Sequence, residues 1–443
     1  MAASFEQTIE QAVADRVIPG VVLLAENTSG SLRYEKVLGH SSLEPGKEQA
    51  LAMDSVFMLM SMSKLVAAVA VLQAVERGLV DLDADVAPWL PELAALPVLQ
   101  GFTSNDDDGN DDDNDDDKAT PVLVARNAPI TLRLLLTHSS GVGYDFLTPD
   151  LVRYRAWLVR QPPEAGLDPP PKISGSPPSV EDRFRFPLAF QPGQGWTYGA
   201  GVDWAGRLLE RVHAHAAGRT EPTADGTTLP AMPLEDIVVR DILTPLGLPA
   251  GALTFHPERY PAVLARLWPS LPVRAAGPDT PVVHGPSMYR PAPAALAGQG
   301  MYGDMPSFLV LLRSLLHDDG KLLASRGSPS SSALLFTPQL ASDAARQALL
   351  RGTENPGWIT GDVPDTKEYD WSLGGLLVTG STHPVRRKGA VFWAGAINLT
   401  WILDREAGLA AVFASNYQPP GDAQGKALMR AWEAFIYPQA AKL

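Results

Sequence analysis

The chain predicts an α+β fold: an antiparallel sheet flanked by helices, with an inserted, mostly helical region. Three observations carry this. Strand patterns gather at the two ends, around residues 18–40 and from residue 371 onward. Helical periodicity dominates between them, and one more helix closes the chain. Two strand-rich ends separated by helices pair most simply into one sheet. The expected division is a sheet domain of residues 1–85 and 296–443, with residues 86–295 as the insertion.

The elements follow in order. Phe5, Ile9, Val13 and Val17 recur at the spacing of one helical face, so an amphipathic helix opens the chain. Val21 to Ala25 reads as a buried strand, Asn27-Thr28-Ser29-Gly30 as a turn, and Leu32 to Leu38 as the return strand of a hairpin. An apolar helix, Leu65 to Val75, stops near Arg77-Gly78, a cation followed by a glycine. It is too short to span a bilayer. Val86 to Pro91 is turn-rich, and Ile130 to His138 is a short helix ending at Ser139-Ser140-Gly141. The proline-rich stretch 161–180 predicts a long loop, and 263–295, also proline-rich, resists assignment. Helices are expected over 201–215, 234–244 and 305–317. Strands are expected over Trp371–Val378, Gly389–Ala394, Asn398–Asp404 and Gly408–Ser415, with a closing helix from Asp422 to Phe435.

Composition narrows the class. The 443 residues are 45% hydrophobic, enough for a large core. The absence of cysteine excludes disulfides, thiolate metal sites and cysteine nucleophiles. Of the net charge of −14, nine aspartates lie between Asp106 and Asp117, so the rest of the chain carries only −5. That run lacks the glutamate an EF-hand needs near its twelfth position, so a disordered, solvated loop over 103–118 is expected rather than a calcium site. Nothing basic suggests nucleic acid. Met1 to Glu6 has neither the basic nor the apolar part of a secretory signal, and a cytoplasmic protein with no membrane partner is expected.

Ser61-Met62-Ser63-Lys64 carries the first sign of chemistry. Residues three apart on a helix share a face. A serine hydroxyl is a weak nucleophile until a base takes its proton. A lysine at a helix N-terminus can be that base, because the positive end of the helix dipole disfavours its charge. A capped surface helix shows the same four residues, so the rest of the chain must decide.

Four segments together resemble the serine β-lactamase and penicillin-binding-protein superfamily, in the branch of class C β-lactamases, related esterases and fungal statin-type acyltransferases. They are Ser61-Met62-Ser63-Lys64; Ile130 to Gly141, with Ser139 where threonine is usual; Gln191-Pro192-Gly193 through Tyr198; and Trp393-Ala394-Gly395-Ala396. The resemblance implies a β-lactamase/transpeptidase-like fold and no metal or other cofactor. Ser61 would be the nucleophile, with Lys64 and Tyr198 handling its proton. The backbone N–H groups of Ser61 and Ala396 would receive the oxyanion. Gly395 would let substrate approach the strand, and Tyr144 would be a pocket wall. His138 is expected to be a buried hydrogen-bonding residue. His213 and His215 have no metal-motif spacing, and no Gly-x-Ser-x-Gly elbow is present.

Two departures shape the expected substrate. The lactamases' Tyr-x-Asn is Tyr198-Gly199-Ala200 here, and Trp393 stands where a lysine or histidine would favour a carboxylate. Both point away from β-lactams and D-Ala-D-Ala. The expected function is a serine acyltransferase that moves an acyl group from a thioester or ester to a hydroxyl or amine of a small metabolite. Its donor would be free, on acyl-CoA or on an acyl carrier protein. A carboxylesterase with the same residues is the alternative, and intact Ser61, Lys64 and Tyr198 argue against a catalytically silent relative.

Overall fold

A computed structural model describes residues 4–103, 119–162, 167, 168, 170, 178–219, 231–275, 277–287, 289, 291–325, 330–354, 359 and 361–440. Apart from Thr103, the expected acidic loop lies outside them, as does most of the expected loop within 161–180.

The main sheet has eight strands, antiparallel throughout. Their spatial order is Tyr369–Trp371, Leu376–Val378, Val391–Gly395, Leu399–Asp404, Leu409–Ala414, Gly20–Asn27, Arg33–Ser42 and Gln49–Ala50. The two ends of the chain meet at its centre, where Val22 pairs with Ala414 and Asn27 with Leu409. Gly20–Asn27 is buried along nearly its whole length, as a central strand covered on both faces must be. The α+β architecture is the one the strand clustering predicts.

Helix Met305–His317 packs on the central strands. The terminal helices Phe5–Ala14 and Ala423–Ala440 pack together beside Arg33–Ser42, with the rings of Phe5 and Phe435 stacked 4.7 Å apart. The opening helix stops at Ala14, short of Val17. Helix Ser63–Glu76 is buried from Ser63 through Ala74, so it has no polar face, and it packs against Gly201–Ala216. Its interior amide, Gln73, donates 2.8 Å hydrogen bonds to the carbonyls of Asp241 and Leu322. Strand Leu253–Thr254 pairs with Tyr302–Asp304, itself paired with Val56–Met58 just ahead of Ser61.

One strand expectation needs correction. Trp371–Val378 is not a single strand but a tight hairpin, Tyr369–Trp371 against Leu376–Val378. Ser372 Oγ accepts the N–H groups of Gly374 and Gly375 at 3.2 Å, closing the turn. A Cβ on Gly375 would stand 2.8 Å from the Phe392 carbonyl. The apolar run hid a turn built by one serine and two glycines. Within the proline-rich 263–295, Val273–Arg274 pairs with Val282–Val283.

Arg386 and Glu433 form a deeply buried pair, with Nε to Oε2 at 2.9 Å, tying the closing helix to the segment before strand Val391–Gly395. Removing one partner of such a pair strands the other charge in a poor solvent for it. Glu433→Leu is expected to lower unfolding stability by about 3–5 kcal/mol. In urea denaturation, a midpoint no lower than the parent's would show that Arg386 finds solvent or another partner.

Candidate active site

The chain leaves strand Val56–Met58 and makes a 3₁₀ turn, Met60–Met62, before helix Ser63–Glu76 begins. Ser61 therefore stands on the turn, one step ahead of the helix on which the sequence spacing placed it. Met60 takes φ +49°, a left-handed value uncommon for a side chain of its size. Ser63 fixes the turn: its Oγ donates to the Met60 carbonyl at 2.6 Å and accepts the Met301 N–H at 3.2 Å. Leu59 N–H bonds the Met301 carbonyl at 2.8 Å, so both ends of the turn rest on one neighbour.

The tighter 3₁₀ winding still brings Ser61 and Lys64 together. Lys64 Nζ lies 3.2 Å from Ser61 Oγ, 2.7 Å from the Gly298 carbonyl and 3.4 Å from Tyr144 Oη. Three contacts match the three donors of an ammonium. The lysine is only 4% exposed, so its nitrogen depends on these partners rather than on water. Tyr144, expected as a pocket wall, does line the cavity, and its hydroxyl also reaches the lysine. Burial, then the nearby Asp203 charge, pushes the Tyr144 hydroxyl well above the usual phenol range.

Asp203 is a site residue that sequence reasoning missed. It lies in the first turn of helix Gly201–Ala216, where an aspartate reads as a favourable partner of the helix dipole. In the structure it is fully buried, and its Oδ1 accepts the Gly298 N–H at 2.9 Å. Its Oδ2 meets the hydrogen-bond criteria with no partner among the described residues. Burial raises its carboxyl to about 6 against the opposing pull of the Lys64 charge. Gly298 thus touches both charged groups, the lysine through its carbonyl and the aspartate through its N–H. No short-range signal links residues 64, 203 and 298.

Tyr198 lies under the lysine, with Nζ 4.7 Å from its ring centroid. Its Oη accepts the Trp393 indole N–H at 2.9 Å. Trp393 is therefore more than the apolar face read from the sequence: it also supplies a donor to the phenol oxygen. Its ring meets Trp371 edge-on at 4.7 Å. His138 is buried behind this group, and its Nδ1 accepts the Gly199 N–H at 3.3 Å. Burial, and then the Lys64 charge, hold it well below the ordinary imidazole range, so it stays neutral. Its place is that of the buried hydrogen-bonding residue expected from the sequence.

A cavity of about 280 Å³ opens over Ser61. Met60, Phe146, Leu147, Ile359 and Trp393 give it mainly apolar walls, and Ala396 lines it at the end of strand Val391–Gly395. Gly395 has a reason nearer than substrate approach. A Cβ there would meet the Leu59 carbonyl at 2.6 Å, so glycine lets this strand close on the Ser61 turn. Among the described residues, no group of three or more acidic or histidine side chains is placed to hold a metal ion. Nor is any helix among them long and apolar enough to cross a membrane.

The chain belongs to the beta-lactamase family, whose model matches residues 5–434. Within it, the chain is similar to lovastatin esterase of Penicillium rubens, at 34% identity over 94% of this chain and 93% of that protein. It is also similar to monacolin J acid methylbutanoyltransferase of Aspergillus terreus, at 32% identity over 98% and 95% of the two chains. The solved structure of unliganded simvastatin synthase from Aspergillus terreus superposes with a TM-score of 0.81 at 30% identity, covering 100% of both chains. The chain is an enzyme of the acyltransferase or esterase type, as its four motifs implied.

Asp203→Asn removes the buried charge and can keep an acceptor for the Gly298 N–H. A carboxyl raised from 3.8 to about 6 in the folded protein binds more protons there than in the unfolded chain between those values. Its contribution to stability is therefore full below about pH 4. It is lost as pH rises toward 6, by about 3 kcal/mol. The parent should lose that stability between pH 4 and pH 7, and Asp203→Asn should lose correspondingly less. Equal pH slopes in urea denaturation of the two proteins would refute the assignment.

Proposed function

We propose that the protein is a serine acyltransferase working through an acyl-enzyme on Ser61. The contact that carries the reading is the 3.2 Å approach of the buried Lys64 Nζ to Ser61 Oγ at the floor of an apolar cavity. Ser61 Oγ attacks the carbonyl carbon of an ester or thioester, and its proton passes to the Lys64–Tyr198 pair, which for this step holds one proton fewer than an ammonium beside a phenol. The backbone N–H groups of Ser61 and Ala396 receive the oxyanion. Collapse expels the thiol or alcohol, which leaves with the proton and leaves the acyl group on Ser61. The hydroxyl or amine of a small metabolite then enters and takes the acyl group, its proton passing through the same pair to the departing Ser61 Oγ. Trp393 donates to the Tyr198 oxygen and so fixes where the phenol sits during these transfers.

Donor and acceptor are small molecules, as the names of the transferase relatives imply. The donor is a thioester or ester, and coenzyme A or an acyl carrier protein is its natural bearer. Apolar walls disfavour water as acceptor, which supports transfer. The esterase reading keeps the same first half-reaction with water in the second, and the Penicillium rubens relative favours it.

Incubation with a butanoyl thioester, followed by intact mass, is expected to show one acyl adduct that Ser61→Ala lacks. An added alcohol should discharge it faster than water does. Discharge at the same rate with and without alcohols would assign the protein as an esterase. No adduct and no turnover above Ser61→Ala would sink both readings. Lys64→Ala and Tyr198→Phe should each lower kcat by roughly 10²–10⁴-fold. Rates within a few-fold of the parent would remove the altered residue from proton transfer.

A further inference from the structure

We propose that Gln299 is a specificity-determining residue, its side-chain amide hydrogen-bonding a hydroxyl or carbonyl on the otherwise apolar group that fills the cavity. This deepens the acyl-transfer reading and rests on it. Five side chains lining the cavity carry polar atoms: Ser61, Tyr144, Tyr198, Trp393 and Gln299. Ser61 and Tyr144 contact Lys64, and Tyr198 and Trp393 contact each other. Gln299 is half-buried, and its amide makes no hydrogen bond among the described residues. Because Gln299 is only half-buried, water reaches its amide, and a substrate that displaces that water has to meet the amide with a polar group or leave it unpaired.

The backbone explains why the amide sits there. Gly298 is pinned by Asp203 and Lys64, and the N–H groups of Gln299 and Gly300 both bond the Leu296 carbonyl, at 3.1 and 2.7 Å. A Cβ at 298 would stand 2.6 Å from Asp203, and one at 300 would stand 3.0 Å from the Leu296 carbonyl. Of positions 298, 299 and 300, residue 299 is thus the one where a side chain fits without displacing a neighbour, and it is adjacent to the residue that holds Lys64. Position 200, where the lactamase motif carries an asparagine, is a fully buried alanine that does not line the cavity. The cavity's primary amide therefore comes from a different segment, and it offers both a donor and an acceptor.

The test is a ratio of specificity constants in the parent and in Gln299→Leu, which conserves bulk. Two matched pairs serve: butanoyl against 3-hydroxybutanoyl thioester as donors, and cyclohexanol against 1,3-cyclohexanediol as acceptors. The expected result is a parent preference for the polar member of at least one pair that falls about tenfold in Gln299→Leu, whatever happens to absolute rates. Near-UV circular dichroism confirms folding, and Gln299→Asn should recover part of the preference. If both ratios are unchanged while an acyl adduct still forms on Ser61, this inference fails and the acyl-transfer reading stands. If the parent forms no adduct, it is the acyl-transfer reading that fails.

Discussion

The buried amine of Lys64 is the constraint on which the rest of the site depends. A cationic group that is 4% exposed has to be surrounded by acceptors, and here it meets Ser61, Gly298 and Tyr144. Each partner arrives from a different part of the chain. Ser61 comes from a turn wedged between the central helix and strand Val391–Gly395. Gly298 comes from the segment leading into strand Tyr302–Asp304, and Tyr144 from the loop after the short helix Leu132–Leu136. The small residues nearby serve these approaches: without glycine at 395 the strand could not close on the turn, and without glycine at 298 Asp203 could not sit where it does.

Asp203 shows the cost of such a centre. A fully buried carboxyl that ionises only near pH 6 withdraws stability from the fold at neutral pH. What it supplies is negative charge within the field of the lysine. Burial first, and the lysine charge after it, hold His138 neutral. The site therefore sets a buried acid, Asp203, close to a buried base, Lys64, with Gly298 touching both. Stored electrostatic cost of this kind is characteristic of functional sites, and it rests here on geometry, since the carboxyl is fully buried against Gly298, the residue whose carbonyl holds the lysine.

Much of this was legible because its signals are local. Apolar alternation marks the hairpin over 18–40, a run apolar on every face marks the buried helix, and the four motifs mark Ser61, Lys64, Tyr198 and Trp393. What stayed hidden depends on distant contacts or on single turn residues. The bond from Lys64 to Gly298 spans 234 positions and that from Gly298 to Asp203 spans 95, so no window of sequence contains either. The hairpin at Ser372 was lost in an apolar run because period-two patterns do not register a turn whose hydrogen bonds come from one hydroxyl. The 3₁₀ start at Ser61 was invisible for a different reason: i to i+3 spacing brings two side chains together in a 3₁₀ turn as well as in an α-helix.

The cavity walls decide what kind of carbonyl can reach Ser61. Among the described residues that line it none carries a charged side chain, and the lysine beneath them is held by Ser61, Gly298 and Tyr144. A substrate carboxylate entering this space would lose its water and gain no fixed cation. A neutral ester or thioester loses little and covers apolar surface. Tryptophan at 393 serves both halves of that choice: its ring extends the apolar wall, while its N–H does for Tyr198 what a charged neighbour would do only by also attracting anions. Selectivity for neutral acyl groups then follows from the same side chain that orients the proton-transfer phenol.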